Sequence, residues 1–262
     1  MAGTLAALQR GREMTTAAAR LDGRTVLVVG GAGRLGSAIC RDLRARGGRV
    51  IVGYRTSREA ADRLASEIDG TAVRIDTADD ASIEEAFATI ETAHGTVGVL
   101  VDTAHIASEP RRVADQGRAF LEVHLAAVQG YAATVRRALP GMQAAGWGRI
   151  VYVSGALMSR PHPGFGAYGA AKSAATTLTR YVALEEGRAG ITANIVAPGR
   201  VLDPADHLDP VQEELSELLL SRTALGAFPT APDVAAVVGM LTVSPQLTGQ
   251  TVWVTGGEPI TA

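Results

Sequence analysis

The stretch TVLVVGGAGRLG, Thr25 to Gly36, decides how this chain is read. An apolar, β-branched run passes directly into a glycine-rich turn, and the residues from Leu35 onward carry the apolar spacing of a helix. Glycine lets a backbone turn tightly and come close to a pyrophosphate, whose charge the helix N-terminus then stabilises. On that reading Gly30, Gly33, Arg34, Leu35 and Gly36 hold a dinucleotide; the bland alternative is a strand-to-helix turn that uses glycine for geometry alone.

Further apolar runs follow at Arg49–Val52, Ala72–Ile75, Val97–Val101, Arg149–Val153, Thr192–Val196 and Thr251–Val254. Helical patterns separate them, at about Leu35–Arg46, Arg58–Glu67, Ser82–Ala93, Val113–Leu139, Tyr168–Arg188 and Pro232–Leu241. Unbroken alternation predicts an α/β domain over residues 21–262, with a parallel seven-stranded sheet and helices on both faces. Residues 1–20 read as a flexible N-terminal extension. Residues from about 200 to 230 depart from the alternation and contain an amphipathic piece, Glu213–Leu220. An insertion at a strand's C-terminal end is where such a fold places a substrate lid. Its Leu202, Leu208, Leu215, Leu218 and Phe228 suit an apolar ligand, or the packing of the lid itself.

Composition excludes several other classes. At 262 residues, 47% hydrophobic and 20% charged, the chain can bury a sizeable core. A net charge of -2 with scattered arginines gives no nucleic-acid footprint. The single cysteine, Cys40, excludes an internal disulfide, and no metal site is expected. Val234–Gly257 is uncharged but broken by Pro245, Gly249 and several polar residues, so no membrane span is expected. Gln9, Arg10, Arg12 and Glu13 break any signal-peptide pattern, and the expected location is cytoplasmic with a small-molecule partner.

Of the 25 basic residues, Lys172 alone is lysine. It stands four residues after Tyr168, on the same face of a helix. An ammonium beside a phenol favours phenolate, lowers its pKa and makes it a better proton donor to a forming alkoxide. At the second strand, Arg55, Thr56 and Ser57 stand where an NAD-binding acid is usual. That favours a 2′-phosphate and therefore NADP(H), with Arg55 as a plain surface residue the alternative. Asp76, with Thr77, is placed to take the adenine end.

With the glycine turn, Tyr168-x-x-x-Lys172, Asn194-Ile-Val-Ala-Pro198-Gly199 and Gly249-Gln250-Thr251, residues 21 to 258 resemble the short-chain dehydrogenase/reductase family. The resemblance implies a Rossmann-type doubly wound sheet and hydride exchange between a nicotinamide cofactor and a carbonyl or alcohol. It makes Tyr168 the general acid and base and has Lys172 hold the nicotinamide ribose. Ala104, Pro198, Gly199 and Val201 fall at its cofactor positions. Family members are commonly homotetramers or homodimers, and the Ala-rich segments 119–138 and 164–183 suit close helix packing.

Several positions depart from that pattern. Arg34 replaces the middle glycine, as in the pteridine reductase branch, where an arginine there helps hold substrate. The motif after strand four reads Asp102-Thr103-Ala104-His105, His124 stands for the helix asparagine, and Gly155 stands for the catalytic serine. Ser154 adjoins the lost position and replaces its hydroxyl only if the strand bends, because neighbours on a strand face opposite ways. Restoring serine at 155 is expected to hold or raise activity where the pocket has room. His124 is read either as a proton relay or as a packed histidine. Two classes of function follow: an NADP(H)-dependent reductase of a carbonyl or imine on a small apolar substrate, or a non-redox cyclase, isomerase or cofactor-binding subunit on the same fold.

Overall fold

The computed structural model describes residues 20–105, 109–203, 206–208 and 210–258. Nearly all of the expected extension at residues 1–20, and parts of the expected lid, lie outside the described residues. Seven strands form one parallel sheet: β1 (Thr25–Val29), β2 (Arg49–Tyr54), β3 (Thr71–Arg74), β4 (Val97–Asp102), β5 (Gly148–Val153), β6 (Ile191–Pro198) and β7 (Thr251–Val254). Their order is β3-β2-β1-β4-β5-β6-β7, so the winding reverses between β1 and β4. The predicted doubly wound α/β fold is thus the observed one.

Strands buried on both sides read as continuous apolar runs, and alternate residues feed two cores. On one face Leu27, Leu100 and Ile150 pack under α3 (Asp80–His94), α4 (Arg118–Ala145) and α5 (Gly166–Glu186). On the other, Val26, Val28 and Val99 pack under α1 (Arg34–Ala45), α2 (Arg58–Glu67) and α7 (Ala231–Val243). Cys40 is fully buried in the second core, and burial pushes its thiol up to about 12. That thiol is packing material rather than a nucleophile.

The helix after β4 departs most from its expected bounds. The helix expected from Val113 begins at Arg118, because Gly117 separates it from a single 3₁₀ turn at Val113–Asp115. It also runs through Pro140, at the cost of a backbone hydrogen bond, and stops where Gly146 takes φ 61°. The amphipathic piece in the insertion is helical, as α6 (Pro210–Leu220). Among the described residues no helix is long and apolar enough to cross a membrane.

Candidate active site

Open α/β sheets bind ligands outside the strand C-termini at the point where the winding reverses. Here the glycine turn leaving β1 and the Asp102–His105 segment leaving β4 flank a cleft of about 310 Å³. Gly30 takes φ +74°, and a Cβ on it would lie 2.8 Å from Thr103 Oγ1. The turn therefore needs glycine for shape and for close approach. Gly33 caps α1 without a side-chain hydrogen bond, and the helix has no acid in its first turn. Its N-terminal N–H groups and positive dipole end are thus left to an anion, and the cradle fits a dinucleotide's phosphates. Gly36 is structural: a Cβ there would lie inside the Gly30 carbonyl, so glycine is what lets α1 sit against the turn.

Of the residues expected at the cofactor, Gly30, Gly33, Arg55, Thr56, Ser57, Thr77 and Ala104 line this cleft. The others face elsewhere. Leu35 and Val201 pack against the second core. Asp76 accepts a hydrogen bond from the Ala78 N–H at 3.1 Å, closing a local turn. Pro198 and Gly199 line a separate cavity beside Tyr168. Arg34 is turned away from the glycines: it pairs with Asp203 at 3.0 Å and Asp206 at 2.7 Å and donates to the Val201 carbonyl. It straps the insertion to the glycine turn.

Tyr168 and Lys172 lie one turn apart on α5, as the spacing predicted. Lys172 is buried and donates to the Val153 carbonyl at 2.9 Å, with Nζ 4.8 Å from the Tyr152 ring centre and 5.8 Å from that of Tyr168. Burial lowers its pKa to about 8, against an opposing pull from Asp102. The lowered phenol expected from this ammonium is not found. Burial pushes Tyr168 up to about 12, so at neutral pH the hydroxyl carries its proton.

Ser154 does not replace the missing serine. Its Oγ lies 3.1 Å from Thr176 Oγ1, two helical turns beyond Tyr168, and 3.2 Å from Met158 Sδ. The strand stays extended at Gly155, with φ -177°, so the two neighbours face opposite ways. Gly155 is the one against the phenol: a Cβ on it would stand 2.9 Å from Tyr168 Oη.

Beneath the phenol a small cavity of about 20 Å³, room for one water, is lined by Asp102, His105, His124, Tyr168 and Lys172. His124 donates from Nδ1 to the Phe120 carbonyl at 2.8 Å, which leaves Nε2 as an acceptor, buried and without a hydrogen-bond partner. His105 packs edge-on against Tyr168, ring centres 5.5 Å apart, and desolvation followed by the Lys172 charge holds its imidazole below the ordinary value.

Asp102 is the residue that sequence reasoning passed over. It is 2% exposed, accepts from the Ala104 N–H at 2.8 Å, and burial raises it to about 6 despite that bond and Lys172. A lone acid closing an apolar strand at the winding switch was the available signal. Its raised pKa means the folded state holds the proton over the interval from about 4 to 6, so stability from this group falls as pH rises through it. Lys172 acts in the opposite sense at alkaline pH, where stability rises from about 8 toward 10.5. Asp102→Asn keeps the acceptor for Ala104 and removes the buried charge. It is expected to raise stability at pH 7.5 by roughly 1–3 kcal/mol and to flatten the slope between pH 4 and 6, read by urea unfolding across pH. An unchanged slope would contradict the assignment.

A family model described as enoyl-(acyl carrier protein) reductase matches residues 31–258, which takes in the site just described from the residue after Gly30 onward. The chain belongs to the short-chain dehydrogenase/reductase family. Among its relatives, a 3-oxoacyl-[acyl-carrier-protein] reductase of Pseudomonas aeruginosa is 30% identical over 244 residues, covering 90% of this chain and 98% of that one. A D-beta-hydroxybutyrate dehydrogenase of Cupriavidus necator is 30% identical over 238 residues, covering 84% and 91%. Of solved structures, a dehydrogenase/reductase from Sinorhizobium meliloti 1021 superposes with TM-score 0.82 at 30% identity, covering 95% of this chain and 99% of that one. A gluconate 5-dehydrogenase from Burkholderia cenocepacia J2315, in complex with NADP and tartrate, has the same fold, with TM-score 0.85 at 24% identity, covering 93% and 98%. As a short-chain dehydrogenase/reductase, this chain belongs to a family of oxidoreductases.

Proposed function

We propose that the protein is an NADP(H)-dependent reductase of a carbonyl or imine on a small organic substrate. The observation that carries this reading is the place of Tyr168: its ring is reached from the small cavity beneath His105 and from the second cavity, and His105 also borders the dinucleotide cleft. A bound nicotinamide supplies the hydride. Tyr168 Oη donates the proton to the developing alkoxide. Lys172, fixed on the Val153 carbonyl, sets a positive charge next to the phenol that loses its proton. His124 Nε2, across the water-sized cavity, is the acceptor that connects Lys172 to a proton path. The segment after β6 acts as a lid, and Arg34 is its latch.

The experiment is transfer of deuterium from labelled NADPH to product. A native reaction that carried no label into product and consumed no NADPH would favour the second reading, a non-redox role on this fold. Gly155 and the engaged Ser154 hydroxyl are the observations on its side.

Arg55 is exposed at the rim of the cleft with Thr56 and Ser57, and no acid among the described residues lines the cleft with them. NADPH is expected to bind at least about tenfold tighter than NADH, roughly 1.4 kcal/mol. Arg55→Ala should erase most of that gap; equal affinities in the native protein would refute the preference. The solved relative with NADP bound is consistent with it.

Leu121, Val123 and Leu125 on α4, and Tyr181 and Leu184 on α5, are exposed, Leu184 by 80%. Apolar side chains gathered on packed neighbouring helices suit a second copy of the chain. A homodimer or homotetramer is therefore expected, and light scattering that showed only monomer at micromolar concentration would exclude it. The cytoplasm is the proposed location.

A further inference from the structure

The active site uses the C-terminal ends of the strands; the N-terminal ends carry a cavity of their own. It has a volume of about 360 Å³, within the range of small-molecule sites, and opens between the start of β1, the turn from α4 into β5 and the end of α7. Leu21, Trp147, Val243 and Pro245 give it apolar walls. Arg20, Arg24 and Arg149 line it together with Asp22, the one acid among the described residues to do so, and Asp22 is taken up by Arg20 at 2.9 Å.

Arg149 is the unusual member. Arginine is almost never fully buried without a paired acid. Arg149 is 3% exposed, and no carboxylate among the described residues pairs with it. Both of its hydrogen bonds leave from Nη1, to the Gly148 carbonyl at 2.7 Å and the Gly190 carbonyl at 3.2 Å. Nε is closed off from solvent with no partner. Nη2 makes no hydrogen bond and is not closed off, so it is the nitrogen that the cavity reaches.

The other charge at hand has the same sign. Arg24 Cζ lies 4.3 Å from the Trp147 ring centre, and Arg149 Cζ 4.5 Å from it. Desolvation, and then Arg24, lower Arg149 to about 10, which leaves it charged at neutral pH. The indole face and the two carbonyls ease the cost of that charge, but none of them is a counterion. An anion at Nη2 supplies one. A carboxylate suits the place better than a phosphate, because one negative charge rather than two has to leave water.

We propose that this cavity binds a small organic carboxylate, its two oxygens shared between Arg149 Nη2 and the Arg24 guanidinium and its apolar body against Leu21, Val243 and Pro245. The site lies at the far end of the sheet from Tyr168 and is independent of the reductase reading.

Titration followed by the NMR signals of the indole N–H groups tests it at the site itself, since Trp147 lines this cavity and Trp253, the other tryptophan, lines a different one. The probes are benzoate, its uncharged counterpart benzamide, and phenyl phosphate. Benzoate is expected to move the Trp147 signal saturably and to bind at least about tenfold tighter than benzamide, with the gap narrowing between about 0.05 and 0.5 M salt. Arg149→Gln should shrink the gap to about threefold or less. Arg24 is exposed, so Arg24→Gln leaves no buried group behind; it should narrow the gap at least about threefold, and it decides the matter should Arg149→Gln not fold. Arginines with a merely structural role would leave acid and amide equally bound. That result, an unmoved Trp147 signal, or a gap that survives Arg24→Gln would overturn the proposal. Phenyl phosphate bound tenfold tighter than benzoate would overturn the choice of carboxylate. Glu13 is the acid of residues 1–19, which lie outside the described residues and precede Arg20 at the cavity. A benzoate preference seen only in Glu13→Gln would give the site to the chain's own carboxylate and overturn the proposal of a free ligand.

Discussion

Tyr168→Phe is expected to slow hydride transfer by at least about 100-fold, roughly 2.7 kcal/mol, while NADPH affinity stays within about twofold. Phenylalanine keeps the ring that packs on His105 and loses only the hydroxyl. The phenol lines both cavities at the site, whereas Gly155 carries no hydroxyl and Ser154 is turned to Thr176. With its pKa near 12, Tyr168 remains a donor through neutral pH, so the reduction should show no loss on that account below about pH 10. Label transfer from deuterated NADPH in single-turnover mixing separates chemistry from binding. A loss under tenfold would mean that another group donates the proton.

Gly155→Ser, which places the family's own residue in the strand, is expected to lower the same rate by about 10- to 100-fold, given that a misplacement near 1 Å can cost ~10²-fold. Sequence reasoning expects activity to hold or rise where the pocket has room, and the structure puts the phenol tip where the added side chain begins. The added Cβ would lie 2.9 Å from Tyr168 Oη. The helix cannot readily retreat, since α5 is seated so close to the turn after β5 that a Cβ on Gly169 would be 3.0 Å from the Leu157 carbonyl. The ring must instead tilt. Gly155→Ala is the control: equal losses in both variants identify crowding, whereas a serine variant faster than wild type would show that the missing hydroxyl, not space, limits the reaction.

Strand and helix order were legible because buried parallel strands announce themselves as apolar runs, and the glycine turn because Gly30 and Gly36 leave no space for a side chain. The Tyr168 and Lys172 pair was legible from spacing alone. What a sequence does not display is which way a side chain turns within an element. Arg34 sits at the expected place in the glycine turn, yet its stem leads to Asp203 and Asp206, 169 and 172 positions along the chain from it. Arg24 and Arg149 meet on Trp147 from the starts of two strands, with no common spacing to reveal them. The phenol's pKa failed as an expectation because burial, which packing fixes, raises it.

The burial of Lys172 has a consequence for the whole molecule. It is the only ε-amino group in the sequence and is 7% exposed, so the outside of the described structure presents guanidinium as its only strong side-chain cation. Guanidinium holds its charge through the alkaline range where amines neutralise. Below the alkaline range the change of this protein's charge with pH therefore belongs to its carboxylates and histidines, set against a fixed guanidinium charge. Amine-directed reagents such as acylating agents and aldehyde fixatives meet one side chain, at the floor of the active site, and that side chain becomes a reporter of how often the site opens.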